Sequence, residues 1–356
     1  MKNIVLNILM IGSLLAAASC GSRQSRSADE PEVEGMLIVA SKSGNDVYFI
    51  DRQSGETLTI LPTGLQPHEV EVSDDGRIAV VCNYGDRENA GNTLTVYNVT
   101  GLSIEKTIDL GSHTRPHGMQ WVAGTNNLLV TTEGSNSLLV VDVKAGEVIQ
   151  VMDTKEEVSH MVAATPDFSR AFVPSIRTGN VAVFDMEADS LISHVYSGEG
   201  AEGIDVSPDG AELWVTNRDE NTITIFDTQS LQVLARLPCD DFPIRAKFTP
   251  DGSRFLVSNA RSGTIAVFDA RNRVLEAQIR LTPPVPDNRD AERYFAEFEE
   301  TSIPIGIVVP DNRFAYVANT RSDVVSVIDL ETMEISGHID AGREPDGINF
   351  SHLKPQ

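Results

Sequence analysis

The sequence predicts an all-β fold, a seven-bladed β-propeller of four-stranded blades whose ring is closed by N-terminal strands that complete the C-terminal blade. Three observations carry this prediction: a repeat that occurs seven times, four strand-like runs within each repeat, and a last copy that lacks strands found at the front of the chain. Apolar residues make up 41% of the 356 residues, an ordinary share for a globular protein. One large repeat domain accounts for this length.

The repeat consists of a strand led by a small residue or proline, a tight turn and a second strand. Successive copies begin 41–49 residues apart, apart from one longer step between the fifth and sixth. This period is typical of one four-stranded propeller blade. The copies begin at Pro67, Pro116, Ser159, Ala201, Pro243, Pro304 and Pro345.

Each repeat carries four short runs with strand chemistry, which read GIDVS, ELWVT, TITIF and QVLARL in the fourth copy. Val, Ile, Phe and Thr dominate them, and Gly, Asp, Asn and Pro separate them. The third run of every copy ends in a short carboxylate or amide, which can hydrogen-bond the backbone of the next turn. These residues are Asp51, Asn98, Asp142, Asp185, Asp227, Asp269 and Asp329.

The seventh blade is predicted to form from both ends of the chain. The last copy stops after one strand, and the three missing runs stand at the front, at Met36–Ser41, Asp46–Asp51 and Thr57–Pro62. Their pairing would close the ring and remove open sheet edges, which invite aggregation. We expect removal of the last dozen residues to open the ring.

The repeat resembles the YVTN family of β-propellers. Tyr316–Asn319 reads YVAN and Trp214–Asn217 reads WVTN, and an SPDG turn precedes the second of these. The resemblance covers about residues 35–352 and implies the propeller fold. It implies little about function, because the family includes binding proteins, surface proteins and proteins with no known role.

The first part of the chain predicts export. Residues 1–19 combine Lys2 with an apolar segment, as a signal peptide does. The small residues before Cys20 resemble the lipobox of bacterial lipoproteins and make Cys20 the predicted lipidation site, although Ala17 stands where that motif prefers leucine. Ordinary cleavage near Ser19 is the alternative. Residues 20–34 predict a flexible tether, residues 35–356 the propeller, and the location a lipoprotein of the cell envelope, periplasmic or on the outer surface.

Charge and cysteine content restrict the partners. The formal charge of −24 repels phosphate backbones, so we do not expect nucleic-acid binding, although one branch of the YVTN family binds single strands. Cys82 and Cys239 lie far apart in the sequence and predict two free thiols. We expect a monomer that meets the membrane through its lipid anchor alone.

The candidate site lies at one mouth of the central channel, which the first strand of each blade lines. The residues that open these strands are His68, His117, His160, Glu202, Ile244, Ile305 and Asp346. The three histidines and Glu202 offer ligands that suit zinc, copper or iron, so a divalent transition metal is a candidate cofactor, while a water-filled mouth that binds a ligand is the favoured interpretation. The alternative is that each histidine is a turn residue of the repeat, and a wide seven-bladed channel favours histidines too far apart to share an ion.

Basic residues recur in the loops that follow the second strands, at the same mouth. They are Lys42, Arg87, Arg177, Arg218, Arg261 and Arg321. Arg245, one residue inside the fifth copy's first strand, joins them. Because arginine binds carboxylates and phosphates through paired hydrogen bonds, one interpretation is an anion-binding funnel. The alternative is that each arginine pairs with a neighbouring acid such as Asp86 or Asp219.

The long step between the fifth and sixth copies contains an insertion, residues 282–302. Its second half has helix formers, with Tyr294, Phe295 and Phe298 spaced for one apolar side. By connectivity it emerges at the mouth with the histidines, where it could cover the channel or dock a partner. The alternative is a helix that packs on the neighbouring blade.

The predicted function is a non-enzymatic binding module whose ligand, an anionic small molecule or a protein partner, binds at the channel mouth. GxSxG, HExxH, P-loop and dinucleotide-binding motifs are absent from the sequence. The alternative is a metal-dependent enzyme, a lyase or an oxidoreductase, with its site at His68, His117, His160 and Glu202.

Overall fold

A computed structural model describes residues 34–283, 293, 295, 297, 298 and 301–356. Within these residues the strands form seven antiparallel sheets of four strands each. The predicted signal peptide, Cys20, almost all of the tether and much of the insertion lie outside the described residues. Among the described residues, no helix has the length and hydropathy needed to cross a membrane.

The strands are numbered β1–β28 in chain order. Strands β1–β7 are Met36–Ser41, Asp46–Asp51, Thr57–Pro62, Pro67–Val72, Ile78–Gly85, Ala90–Asn98 and Ser103–Asp109. Strands β8–β15 are Pro116–Trp121, Asn127–Thr132, Ser137–Asp142, Glu147–Asp153, Ala163–Ala164, Arg170–Pro174, Asn180–Asp185 and Ser190–Tyr196. Strands β16–β23 are Ala201–Val206, Glu212–Asn217, Thr222–Asp227, Val233–Pro238, Pro243–Phe248, Arg254–Asn259, Thr264–Asp269 and Val274–Arg280. Strands β24–β28 are Pro304–Val308, Phe314–Asn319, Val324–Asp329, Glu334–Asp340 and Pro345–Ser351.

The predicted fold class is confirmed. Six sheets follow chain order, from β4–β7 to β24–β27, and the seventh has the order β28-β1-β2-β3. Strand β28 pairs antiparallel with β1, and Leu37 lies opposite Phe350. The two ends of the chain therefore close the ring, so the inner edge of β1 is paired rather than open.

The core lies between adjacent blades, because the middle strands of each blade are buried on both faces. Trp214 is fully buried, and its ring contacts those of Phe248 and Phe255, with centroids 5.6 and 4.7 Å apart. The carboxylates that end the third strands bond the following turns as predicted; Asp227, for example, accepts hydrogen bonds from the backbone of Gln229 and Ser230. Cys82 and Cys239 are free thiols, also as predicted.

Side chains three residues beyond those that open the inner strands connect adjacent blades around the channel. The carboxylate of Glu71 accepts a hydrogen bond from the backbone of Trp121 in the next blade, and Asp205 does the same for Phe248. Close approach of the strands also requires glycine, since a Cβ at Gly347 would lie 2.2 Å from the carbonyl oxygen of His68. These contacts hold the mouth residues of adjacent blades at a short separation.

We expect Glu71 to make stability fall as the pH rises from mildly acidic to neutral. Burial raises the pKa of Glu71 from 4.5 to about 7, although Lys247 opposes the shift. The folded chain thus keeps this proton where the unfolded chain has lost it, which costs on the order of 3 kcal/mol once the pH passes both pKa values. Glu71→Gln removes this cost, because an amide does not ionise.

Urea unfolding of the wild type and Glu71→Gln at about pH 4, 6 and 8 measures this effect. As the pH rises through this window, the free energy of unfolding of the variant should increase relative to that of the wild type. Above the window, the difference between the two should stay constant. A difference that stays constant with pH would show that Glu71 does not titrate as described.

Candidate functional site

The three histidines predicted at the channel mouth lie side by side. The ring centroids of His68 and His117 are 5.0 Å apart, and those of His117 and His160 are 3.8 Å apart. All three side chains are buried. The expectation that a wide channel would keep neighbouring histidines apart is therefore wrong, because the inner strands approach closely enough for the rings to touch.

Two residues that the sequence analysis did not select complete this cluster. Tyr84, near the end of β5, stacks on His68 with ring centroids 4.1 Å apart. Its hydroxyl donates a hydrogen bond of 2.5 Å to Oε2 of Glu133, which directly follows β9. The other oxygen of Glu133, Oε1, contacts Nδ1 of His160. Tyr84 and Glu133 occupy the repeat position that Arg218 occupies after β17, so a comparison of second-strand ends across the copies is the signal that could have found them.

Glu202 is the point on which three cationic or imidazole groups converge. Its Oε2 accepts a hydrogen bond of 2.7 Å from Arg218, and its Oε1 lies 3.0 Å from Nη1 of Arg245 and 3.1 Å from Nε2 of His160. Burial raises the pKa of Glu202, but His160 and Arg218 outweigh it and lower the pKa to about 2. Glu202 is therefore a fully ionised carboxylate at neutral pH.

Arg245 crosses the channel. Besides Glu202 in the neighbouring blade, it reaches Glu69 in β4, with Nε and Nη2 lying 3.0 and 2.7 Å from Oε1. A second buried pair, Lys42 with Asp346, lies 2.8 Å apart beside the closure of the ring. Of the predicted residues that open the inner strands, Asp346 thus joins the charged cluster.

The pKa values of the three histidines shift in different directions. Burial and the nearby Lys42 lower the pKa of His68 to about 3, and burial together with His160 holds that of His117 well below its ordinary value. Burial also lowers the pKa of His160, but Glu202 and Glu133 outweigh burial and raise it. At neutral pH, His68 and His117 are therefore neutral.

The outer arginines of the predicted funnel have partners within the protein. Arg177 pairs with Glu157 at 2.8 Å, Arg261 with Asp241 at 2.9 Å, and Arg321 donates to the backbone oxygen of Phe298. Pairing with an acid therefore holds for Arg177 and Arg261, whereas Arg321 is held by a backbone carbonyl. Arg218 and Arg245 reach the histidine cluster through Glu202.

Ile244 and Ile305, the other two residues that open inner strands, form an apolar side of the mouth. They belong to a buried cluster with Phe242 and Phe298. The rings of Phe242 and Phe298 lie 5.1 Å apart, so this part of the insertion packs on the fifth blade. Tyr294 lies outside the described residues, and no helix is found at the described positions of the insertion.

Comparison with known proteins finds similar structures for the whole fold and a family match for one segment of the sequence. Residues 190–277 match the family described as "Lactonase, 7-bladed beta-propeller". The chain is similar in structure to hydrazine synthase of Kuenenia stuttgartiensis, with a TM-score of 0.67 and 19% identity over 83% of this chain and 92% of that one. It is also similar to a functionally unknown protein of Desulfotomaculum acetoxidans, with a TM-score of 0.72 and 15% identity over 90% of this chain and 100% of that one.

No curated protein matches the sequence. Sequence identities below one fifth indicate a shared fold, and the function of this protein does not follow from them. The matched segment contains Glu202, Arg218 and Arg245. The chain is therefore a seven-bladed β-propeller that is similar, over residues 190–277, to the lactonase family.

Proposed function

We propose that the protein binds a small ligand with an anionic group at the channel mouth and that Arg218 anchors that group. The observation that carries this proposal is the convergence of Arg218, Arg245 and His160 on the single carboxylate of Glu202. The carboxylate of Glu202 thus shows that these groups can bind a carboxylate. Buried ion pairs add little net stability compared with apolar packing, which supports a role in binding for this cluster.

Arg218 has the means to hold a second carboxylate. Its hydrogen bond to Glu202 uses Nη1, and 24% of the side chain is exposed. Its Nε is buried without a hydrogen-bond partner among the described residues, so an incoming carboxylate would bind the exposed part of the guanidinium group. Asp219 lies 3.9 Å from Nε, beyond hydrogen-bond distance. The guanidinium group lies over the ring of Phe242, 5.0 Å from its centroid, which holds the plane of the group in place.

The family match favours a class of ligand. A lactonase opens a cyclic ester to a hydroxy acid, and the matched segment carries the arginines that would bind such an acid. We therefore propose an organic hydroxy acid or its lactone as the ligand. Hydrolysis of the lactone is the second candidate function, since His160 stands between two carboxylates and can exchange a proton.

The site of action in this proposal is the cell envelope. The apolar segment and the small residues before Cys20 support export and lipid anchoring. A monomer held by one lipid and a flexible tether would present the channel mouth to small solutes.

Calorimetric titration with gluconate tests the proposal, with sorbitol as the matched ligand that lacks the carboxylate. We expect gluconate to bind and sorbitol not to bind. Arg218→Ala should weaken gluconate binding by about 10- to 100-fold, the value of a charged hydrogen-bonded pair. Arg177→Ala, which breaks an exposed pair, is the control and should bind as the wild type does.

Equal binding of sorbitol and gluconate, or full binding by Arg218→Ala, would contradict the proposed anchor. Acid release from gluconolactone, followed in a pH-stat, tests the second candidate. The wild type should accelerate it and His160→Asn should not.

A further inference from the structure

We infer that His117, Glu133 and His160 form a binding site for one divalent transition metal, for which zinc is the fitting ion. Each residue offers one ligand atom, and these atoms all lie within 4.8 Å of one another. Two imidazole nitrogens and one carboxylate oxygen are a common set of protein ligands for zinc. The inference goes beyond the proposed anion site and does not depend on Arg218.

The strongest independent sign is an unused ligand atom. Nδ1 of His117 is buried and has no hydrogen-bond partner among the described residues. Oε1 of Glu69 lies 3.9 Å from this nitrogen, too far for a hydrogen bond. A buried polar nitrogen without a partner is costly, and a metal bound through this nitrogen would remove that cost.

Glu133 is oriented for the same ion. Tyr84 donates a hydrogen bond to its Oε2, which leaves Oε1 facing Nδ1 of His160. These two atoms contact each other directly. A divalent cation placed between them would bind both, and the buried carboxylate would compensate part of its charge.

The second ring nitrogen of His160 contacts a carboxylate, as the second nitrogen of a metal-binding histidine usually does. Its Nε2 lies 3.1 Å from Oε1 of Glu202, which can accept the ring proton and orient the imidazole. A carboxylate behind a ligating histidine fixes the tautomer and raises the basicity of the nitrogen that binds the metal. Glu202 is therefore a positioning residue of this site, and Arg218 and Arg245 hold it in place.

This ligand set differs from the one predicted from the sequence. His68 has its Nδ1 3.0 Å from the backbone oxygen of Gln66, and its ring stacks on Tyr84. Both oxygens of Glu202 already accept hydrogen bonds. The ligand set that we infer therefore has Glu133 in place of His68 and Glu202, because only the atoms of His117, Glu133 and His160 lie together within 4.8 Å among the described residues.

Titration of the metal-free protein with Zn²⁺ by calorimetry, and with Co²⁺ by visible absorption, tests the site. We expect one ion per chain. Glu133→Gln and His117→Asn should each weaken binding by about 100-fold or more, because each removes one of three protein ligands. His68→Asn is the matched control, a buried histidine of the same cluster outside the ligand set, and should bind as the wild type does.

The metal-free variants are first compared with the wild type by thermal unfolding. If His117→Asn does not fold, Glu133→Gln decides the result, since its amide can still accept the hydrogen bond from Tyr84. Absence of Zn²⁺ and Co²⁺ binding in the wild type overturns the inference. So does binding that persists in folded Glu133→Gln, or that is lost equally in His68→Asn.

Discussion

Deletion of residues 345–356 is expected to abolish cooperative folding of the propeller. The deletion removes β28, which pairs with β1 and lies against β4 and β24. Two apolar side chains, Ile348 and Phe350, and a strand's worth of backbone hydrogen bonds are lost with it. Together these are worth on the order of 5–10 kcal/mol, comparable to the whole stability of a typical domain.

Thermal unfolding followed by circular dichroism measures the effect. The control is deletion of residues 352–356, which lie beyond β28 and leave the closing strand intact. The shorter deletion should keep a cooperative transition within a few degrees of the wild type. A cooperative transition at the wild-type temperature in the longer deletion would contradict closure of the ring by the two chain ends.

The second large effect is expected for Arg245→Met. Arg245 is buried and lies between Glu69 and Glu202, so its loss leaves two carboxylates in the channel without this counter-ion. Removal of one partner from a buried ion pair costs about 3–5 kcal/mol. Arg177→Ala breaks an exposed pair and should cost less than about 1 kcal/mol.

Urea unfolding of the single and double variants separates this electrostatic loss from lost packing. Adding Glu69→Gln to Arg245→Met removes one of the unpaired carboxylates and should restore part of the lost stability. Costs that simply add in the double variant would show that Arg245 and Glu69 do not interact as the structure describes.

The blades could be predicted from the sequence because strand and turn signals are local and recur seven times. The same repeat register located His68, His117, His160, Glu202 and Asp346 at one mouth. It could not show that Glu133 joins His117 and His160, because Glu133 follows a different strand. Which side chains meet depends on the distance between blades, and the repeat carries no such distance.

The same limit applies to the charges. The sequence located arginines around one mouth and left open whether they are free or paired. Pairing depends on side-chain reach: Arg261 meets Asp241 beside it, whereas Arg245 extends across the channel to Glu69. Those two residues are 176 positions apart in the chain, and no local pattern connects them.

The most direct test of a functional channel mouth is the anomalous-difference map of zinc-soaked crystals, recorded on both sides of the zinc absorption edge. We predict one strong peak within bonding distance of His117, Glu133 and His160, about 2 Å from each ligand atom. An empty mouth, with zinc bound at surface carboxylates instead, would contradict the assignment of this cluster as the protein's metal centre.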